Sequence, residues 1–179
     1  MVCGDSNRLS FQLTRQQPTT PPLPPGATVI GFQGLTADGA SVTTYGESGF
    51  AVTATSGPWV ASTTSGNPAP FIQFYASPAT TVTGEVRVAA SGSVFSFYSV
   101  DLYSSTTPVP YTITGFRNGS TVLTLTDTLP SLFGNFRTVN NPNVRRSPID
   151  ALSIVLTDAP ASCSTCRNPM GLDTIVFTR

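Results

Sequence analysis

Few residues in this chain can do chemistry, and the missing types decide as much as those present. The 179 residues carry nine acidic side chains and nine arginines, with no lysine and no histidine. Without histidine no Ser-His-Asp or Cys-His arrangement can form, and no Gly-rich loop leads from a strand into a helix to hold a phosphate. A glycosidase works with two carboxylates, and Glu85, Asp101, Asp127 and Asp150 fall on expected strands, yet their spacing pairs none of them. Catalysis is therefore not expected. Cys163 and Cys166 flank Ser164-Thr165 between Pro160 and Pro169. Zinc takes about four ligands, more than this chain offers without histidine, and a thioredoxin-type role needs the pair at a helix start. We expect a disulfide in an oxidising compartment, with free thiols as the alternative.

Binding chemistry is better supplied. Sugar recognition sets an aromatic face against the C–H surface of a ring and a few polar groups against its hydroxyls. Trp59 lies in a loop-like stretch of small and hydroxyl residues that runs on to Asn67, where a large ring invites either contact with a ligand or plugging of the core's end. A second loop-like platform is Leu132-Phe133-Gly134-Asn135-Phe136-Arg137, followed by Asn140-Asn141-Pro142-Asn143. Phe136 and Arg137 are its ligand candidates, against the alternative of a solvated loop packed by its phenylalanines. The sparse, balanced charge leaves no basic surface for a phosphate backbone, so nucleic acid is not an expected partner.

The elements that must position these groups are strands. No helical period is sustained, and no stretch approaches the roughly 20 apolar residues that would span a bilayer. About nine strands are expected, over residues 28–33, 50–55, 71–75, 82–90, 94–103, 111–117, 121–127, 149–157 and 172–178. Val82, Gly84, Val86 and Val88 share one face, as do Leu152, Ile154 and Leu156, so each strand has one side for a core and one for solvent. The fold class is all-β, a two-sheet sandwich. Asn118-Gly119 between two alternating runs predicts a two-residue hairpin turn, which needs positive φ angles. Asn118-Gly119-Ser120 is also a glycosylation sequon, although the turn alone accounts for these residues.

Residues 1–26 differ from the rest. The run from Gln16 to Gly26 is dense in proline and would act as a semi-rigid spacer, which sets a boundary between a tail over 1–26 and a domain over 27–179. Ahead of the spacer, Leu9, Phe11 and Leu13 alternate with polar residues as a strand with one apolar face. Such a strand could complete its own sheet or pair with a neighbouring copy. Met1-Val2-Cys3-Gly4-Asp5-Ser6-Asn7 resembles the mature end of a bacterial lipoprotein, with Cys3 as the lipid acceptor; an incidental thiol is the alternative.

The order of short motifs carries a wider resemblance. Ile30-Gly31-Phe32-Gln33-Gly34-Leu35, Tyr45-Gly46-Glu47-Ser48-Gly49-Phe50, Gly66-Asn67-Pro68, Ser99-Val100-Asp101-Leu102-Tyr103, Tyr111 through Gly115, Ile149-Asp150 and Gly171-Leu172-Asp173 follow one another over residues 28–178. This series resembles the jelly-roll domains of exported bacterial surface proteins and is similar in layout to galactose-binding-domain-like carbohydrate-binding modules. The resemblance implies a jelly roll, a non-catalytic, lectin-like role toward a polysaccharide or other glycan, and an extracellular, cell-surface or periplasmic location. It also implies a structural calcium held by Glu47 and Asp173 with backbone oxygens near Gln33, where the family often has an acid. The alternative of another class is a structural subunit of an extracellular fibre, surface layer or larger complex, associating through the N-terminal arm.

Overall fold

Alternation of apolar and polar residues builds twelve strands in the computed structural model, which describes residues 22–66, 69–75, 80–144, 148–158 and 167–178. They are β1 (Ala27–Ile30), β2 (Thr44–Glu47), β3 (Phe50–Ser56), β4 (Val60–Ser62), β5 (Phe71–Phe74) and β6 (Val82–Ala90). The remainder are β7 (Ser96–Ser104), β8 (Val109–Arg117), β9 (Ser120–Leu129), β10 (Asn135–Asn140), β11 (Ala151–Asp158) and β12 (Met170–Thr178). One six-stranded sheet runs β10-β7-β12-β5-β4, with β1 also on β12; the other runs β2-β3-β6-β11-β8-β9. All pairings are antiparallel. The expected two-sheet, all-β sandwich is what the chain forms.

The core lies between the sheets and follows the alternation. Val86 and Val88 on β6 and Leu152, Ile154 and Leu156 on β11 are buried against Ile72, Phe74, Leu102, Leu172 and Phe177 of the facing sheet. Phe177 stacks on Phe50 at 4.5 Å between centroids and meets Phe95 edge-on at 4.8 Å. The Asn118-Gly119 hairpin forms as expected: Arg117 pairs with Ser120, and φ is +49° and +78° at the two turn residues. A bulge between Gly115 and Phe116 then leaves Val122 without a partner and advances the register by one, so that Tyr111 faces Asp127.

Three strands go beyond the nine expected: β2, β4 and β10. β4 has only three residues, and β10 is an edge strand whose side chains are all exposed or half-buried. Neither carries the apolar alternation that marks a strand in sequence. Residues 135–137, read as part of a loop, therefore belong to a sheet. Trp59 calls for a larger correction. Its residue is 1% exposed, its Nε1 donates to Ser56 O at 2.9 Å, and its ring meets Phe74 edge-on at 4.7 Å. The ring closes the end of the core and presents no face to a ligand.

Cys3, Leu9, Phe11, Leu13, Asn67, Cys163 and Cys166 lie outside the described residues. Among the described residues no helix is long and apolar enough to cross a membrane.

Candidate functional site

At one side of the sandwich the two sheets part between their edge strands β9 and β10. A hollow of about 200 Å³ opens there, lined by Tyr111 of β8, Asp127, Thr128 and Leu129 of β9, and Arg137, Thr138, Val139 and Asn140 of β10. The hairpin supplies one wall, since Tyr111 and Asp127 are cross-strand partners. β10 supplies the other, held in register on β7 by six residue pairs. Leu129 is buried and forms the apolar floor, Tyr111 is half-buried, and Asp127, Thr128, Arg137 and Asn140 are exposed.

The polar groups of this cleft keep unspent hydrogen-bonding capacity. Arg137 forms no ion pair with a described residue; the ion pair within 4 Å among those residues is Arg117–Asp150, at 3.8 Å. Among the described residues Asp127 Oδ1 accepts only the neighbouring Thr128 N–H, at 2.7 Å. Burial raises the Tyr111 hydroxyl above its ordinary pKa, the Asp127 charge adds to the rise, and the Arg137 charge opposes it. A carboxylate, a guanidinium and a phenol ring thus face one small volume, from side chains that share the inward face of their strands. That set can accept from and donate to several hydroxyls while offering an aromatic surface. Charged side chains at sheet edges also discourage strand addition, a role the same residues serve without a ligand.

The structure separates the two residues expected to act together in the 132–137 platform. Arg137 lines the cleft, whereas its neighbour Phe136 packs edge-on against Phe71 at 5.1 Å and at a tilt against Tyr103 at 5.2 Å. Successive residues of a strand point to opposite faces, so the two cannot share one contact surface. Sequence reasoning had no means to single out Tyr111 and Asp127, because the cleft depends on two edges meeting across the sandwich.

Asp173 is the cross-strand partner of Asp101, and Glu47 lies within reach of its charge. Glu47 Oε2 accepts hydrogen bonds from Gly31 N (3.1 Å), Phe32 N (2.9 Å) and Tyr45 Oη (3.0 Å), latching the turn after β1. Phe32 holds a left-handed φ of +58° there. Asp173 sits where β12 exchanges partners: β5 pairs residues 170–172, β1 pairs residues 175–178, and the ladder to β7 breaks after Asp173. Thr174 takes φ +43° at this break. Asp173 is 2% exposed and its Oδ1 has no hydrogen-bond partner among the described residues. Burial pushes its carboxyl up to about 6, Thr174 pulls it back, and the charges of Asp101 and Glu47 raise it further. The orphaned oxygen beside a second carboxylate fits a cation, with backbone oxygens needed to complete a shell of six to eight. Among the described residues no three acidic, cysteine or histidine side chains converge to hold a metal by themselves.

The remaining carboxylates sit in separate surroundings. Glu85 accepts from the buried Ser153 hydroxyl at 2.6 Å on the outer face of β6 and β11. Asp150 accepts from Asn118 N at 2.7 Å and steadies the hairpin tip. Asp101 accepts from Thr138 Oγ1 at 2.5 Å.

No protein-family model matches the chain, and neither does any curated protein sequence. Solved structures with a similar layout include a family 29 carbohydrate-binding module from Piromyces equi, at TM-score 0.45 and 16% identity, covering 84% of this chain and 89% of that one. The module TmCBM61, solved in complex with β-1,4-galactotriose, gives TM-score 0.44 and 11% identity over 80% of this chain and 100% of that one. A family 11 carbohydrate-binding module from Clostridium thermocellum gives TM-score 0.37 and 13% identity over 80% and 97%. These likenesses are of general layout, and a ligand must be argued from the chain's own residues.

Proposed function

We propose that this chain is a non-catalytic carbohydrate-binding domain of an exported or surface-anchored protein, and that it takes a sugar unit in the cleft between β9 and β10. The observation that carries this reading is the unspent hydrogen-bonding capacity of Asp127 and Arg137 around one hollow beside the Tyr111 ring. Sugar hydroxyls need both acceptors and donors, which Asp127 and Arg137 divide between them. Charged donors and acceptors make the stronger bonds of such a set. At about 200 Å³ the cleft is smaller than the roughly 300 Å³ at which drug-sized pockets begin, a size suited to one ring or a chain end. The scattered carboxylates, each engaged in its own structural bond, favour binding over hydrolysis.

A structural calcium belongs to the same proposal. Asp173 and Glu47 would hold it, and its charge would neutralise the buried carboxylates near the end of β1. A glycan array combined with insoluble-polysaccharide pull-down on the intact chain tests the function. Retention of one glycan class supports it; retention of none across the array overturns it.

A further inference from the structure

We propose that Phe133 is a second contact for the ligand of the cleft, so that the site takes a chain of at least two sugar units. This inference rests on reading the cleft as a sugar site. Phe133 is 80% exposed, the most exposed of the large hydrophobic residues described, and its backbone holds φ +53°. Single exposed apolar residues are ordinary on protein surfaces. A bulky residue in the left-handed region is not, because its Cβ crowds the backbone where glycine or asparagine would sit at less cost.

The turn does not need the ring to keep its shape. Phe133 N donates to Ser105 O at 2.9 Å and Gly134 N to Ser104 O at 3.1 Å. The Ser104 hydroxyl accepts from Leu132 N at 3.0 Å and donates to Pro130 O at 2.7 Å. Asn135 Nδ2 donates to Leu132 O at 2.7 Å. Strain and exposed apolar surface are thus both kept at a position whose side chain contributes little burial to the fold, the pattern expected where the side chain serves a contact outside it.

Position names the occupant. The turn joins the end of β9 to the start of β10, which are the two walls of the cleft. Phe133 stands four residues beyond Leu129 and four before Arg137, both lining residues, within a chain reach of roughly 13 Å from either. A glycan anchored by Asp127 and Arg137 can extend toward this ring and lay the C–H face of its next unit on it.

The test titrates the intact protein with β-1,4-linked gluco-, galacto- and xylo-oligosaccharides of one to four units, as wild type, Phe133→Asn and Arg137→Gln. Wild type should gain about tenfold or more in affinity from one unit to three. Phe133→Asn should lose that gain, keep the single-unit affinity, and melt at the same or a higher temperature. Arg137→Gln should weaken every length. If Phe133→Asn binds all lengths as wild type does, the second contact is refuted while the cleft stands. A clear fall in its melting temperature would make the ring structural and also refute the proposal. A wild type that binds none of the sugars removes both readings.

Discussion

Asp173 on β12 and Asp101 on β7 stand directly opposite one another as cross-strand partners, and the more deeply buried of the two has an oxygen with no hydrogen-bond partner among the described residues. Like charges in that relation oppose each other, and burial worsens the conflict by removing water. The ladder breaks at the next residue, where Thr174 takes its left-handed φ. The pair, one member buried and the other half-buried, therefore concentrates unfavourable electrostatics at the junction of three strands, where protonation relieves it and a bound cation would do the same.

The first prediction follows from the sign of that shift. Asp173 is raised from 3.8 to about 6, so the folded state binds its proton more tightly than the unfolded chain does. The stability contributed by this carboxyl should be full below about pH 4, fall between about pH 4 and 6, and level off above; at roughly 1.4 kcal/mol per unit the loss is about 3 kcal/mol, while the exposed Asp38, lowered by its hydrogen bond from Thr63, acts in the opposite direction. Asp101 is raised by burial too and adds in the same direction as Asp173. Denaturant unfolding of metal-free protein across pH 3–8 reads the slope, and Asp173→Asn should flatten it and raise stability at pH 7. A stability that climbs over this range would contradict the assignment.

Calcium should act on the same pair. Its addition at pH 7.5 should raise the melting temperature of the wild type, and a chelator should reverse the rise. Asp173→Asn should no longer respond. If neither protein responds to calcium, the cation proposal fails.

Trp59 should behave as a core residue. Trp59→Ala should cost about 3–5 kcal/mol, the usual loss for deleting a large buried ring. Trp59→Phe, which keeps an aromatic ring but loses the hydrogen bond to Ser56 O, should cost less, about 1–2 kcal/mol. Under conditions where Trp59→Phe is folded, its glycan retention should equal that of the wild type. A selective loss of retention would return Trp59 to the binding surface.

Much of the fold was legible in the sequence because burial imposes a period of two on strands such as β6 and β11. The hairpin was legible too, since Asn118 and Gly119 tolerate positive φ. The site was less so. From the turn alone, Tyr111 would face Thr126; the bulge that leaves Val122 unpaired brings Asp127 opposite instead, and no residue type marks that bulge. Arg137 was identified by its chemistry, but its neighbour Phe136 was assigned to the same surface because β10 has no apolar alternation to reveal it as a strand. Trp59 stood among small residues that read as a loop, whereas its ring is held by Phe74, distant in sequence.

The central claim, a sugar site in the β9–β10 cleft, is tested most directly by calorimetric titration of the glycan retained by the wild type into Asp127→Asn and Arg137→Gln, with melting temperatures recorded alongside. Both positions are exposed, so the melting temperatures should stay close to wild type while affinity falls about tenfold or more, as expected when a charged hydrogen bond is lost. Unchanged affinity in both variants would place the sugar elsewhere on the sandwich and contradict the claim.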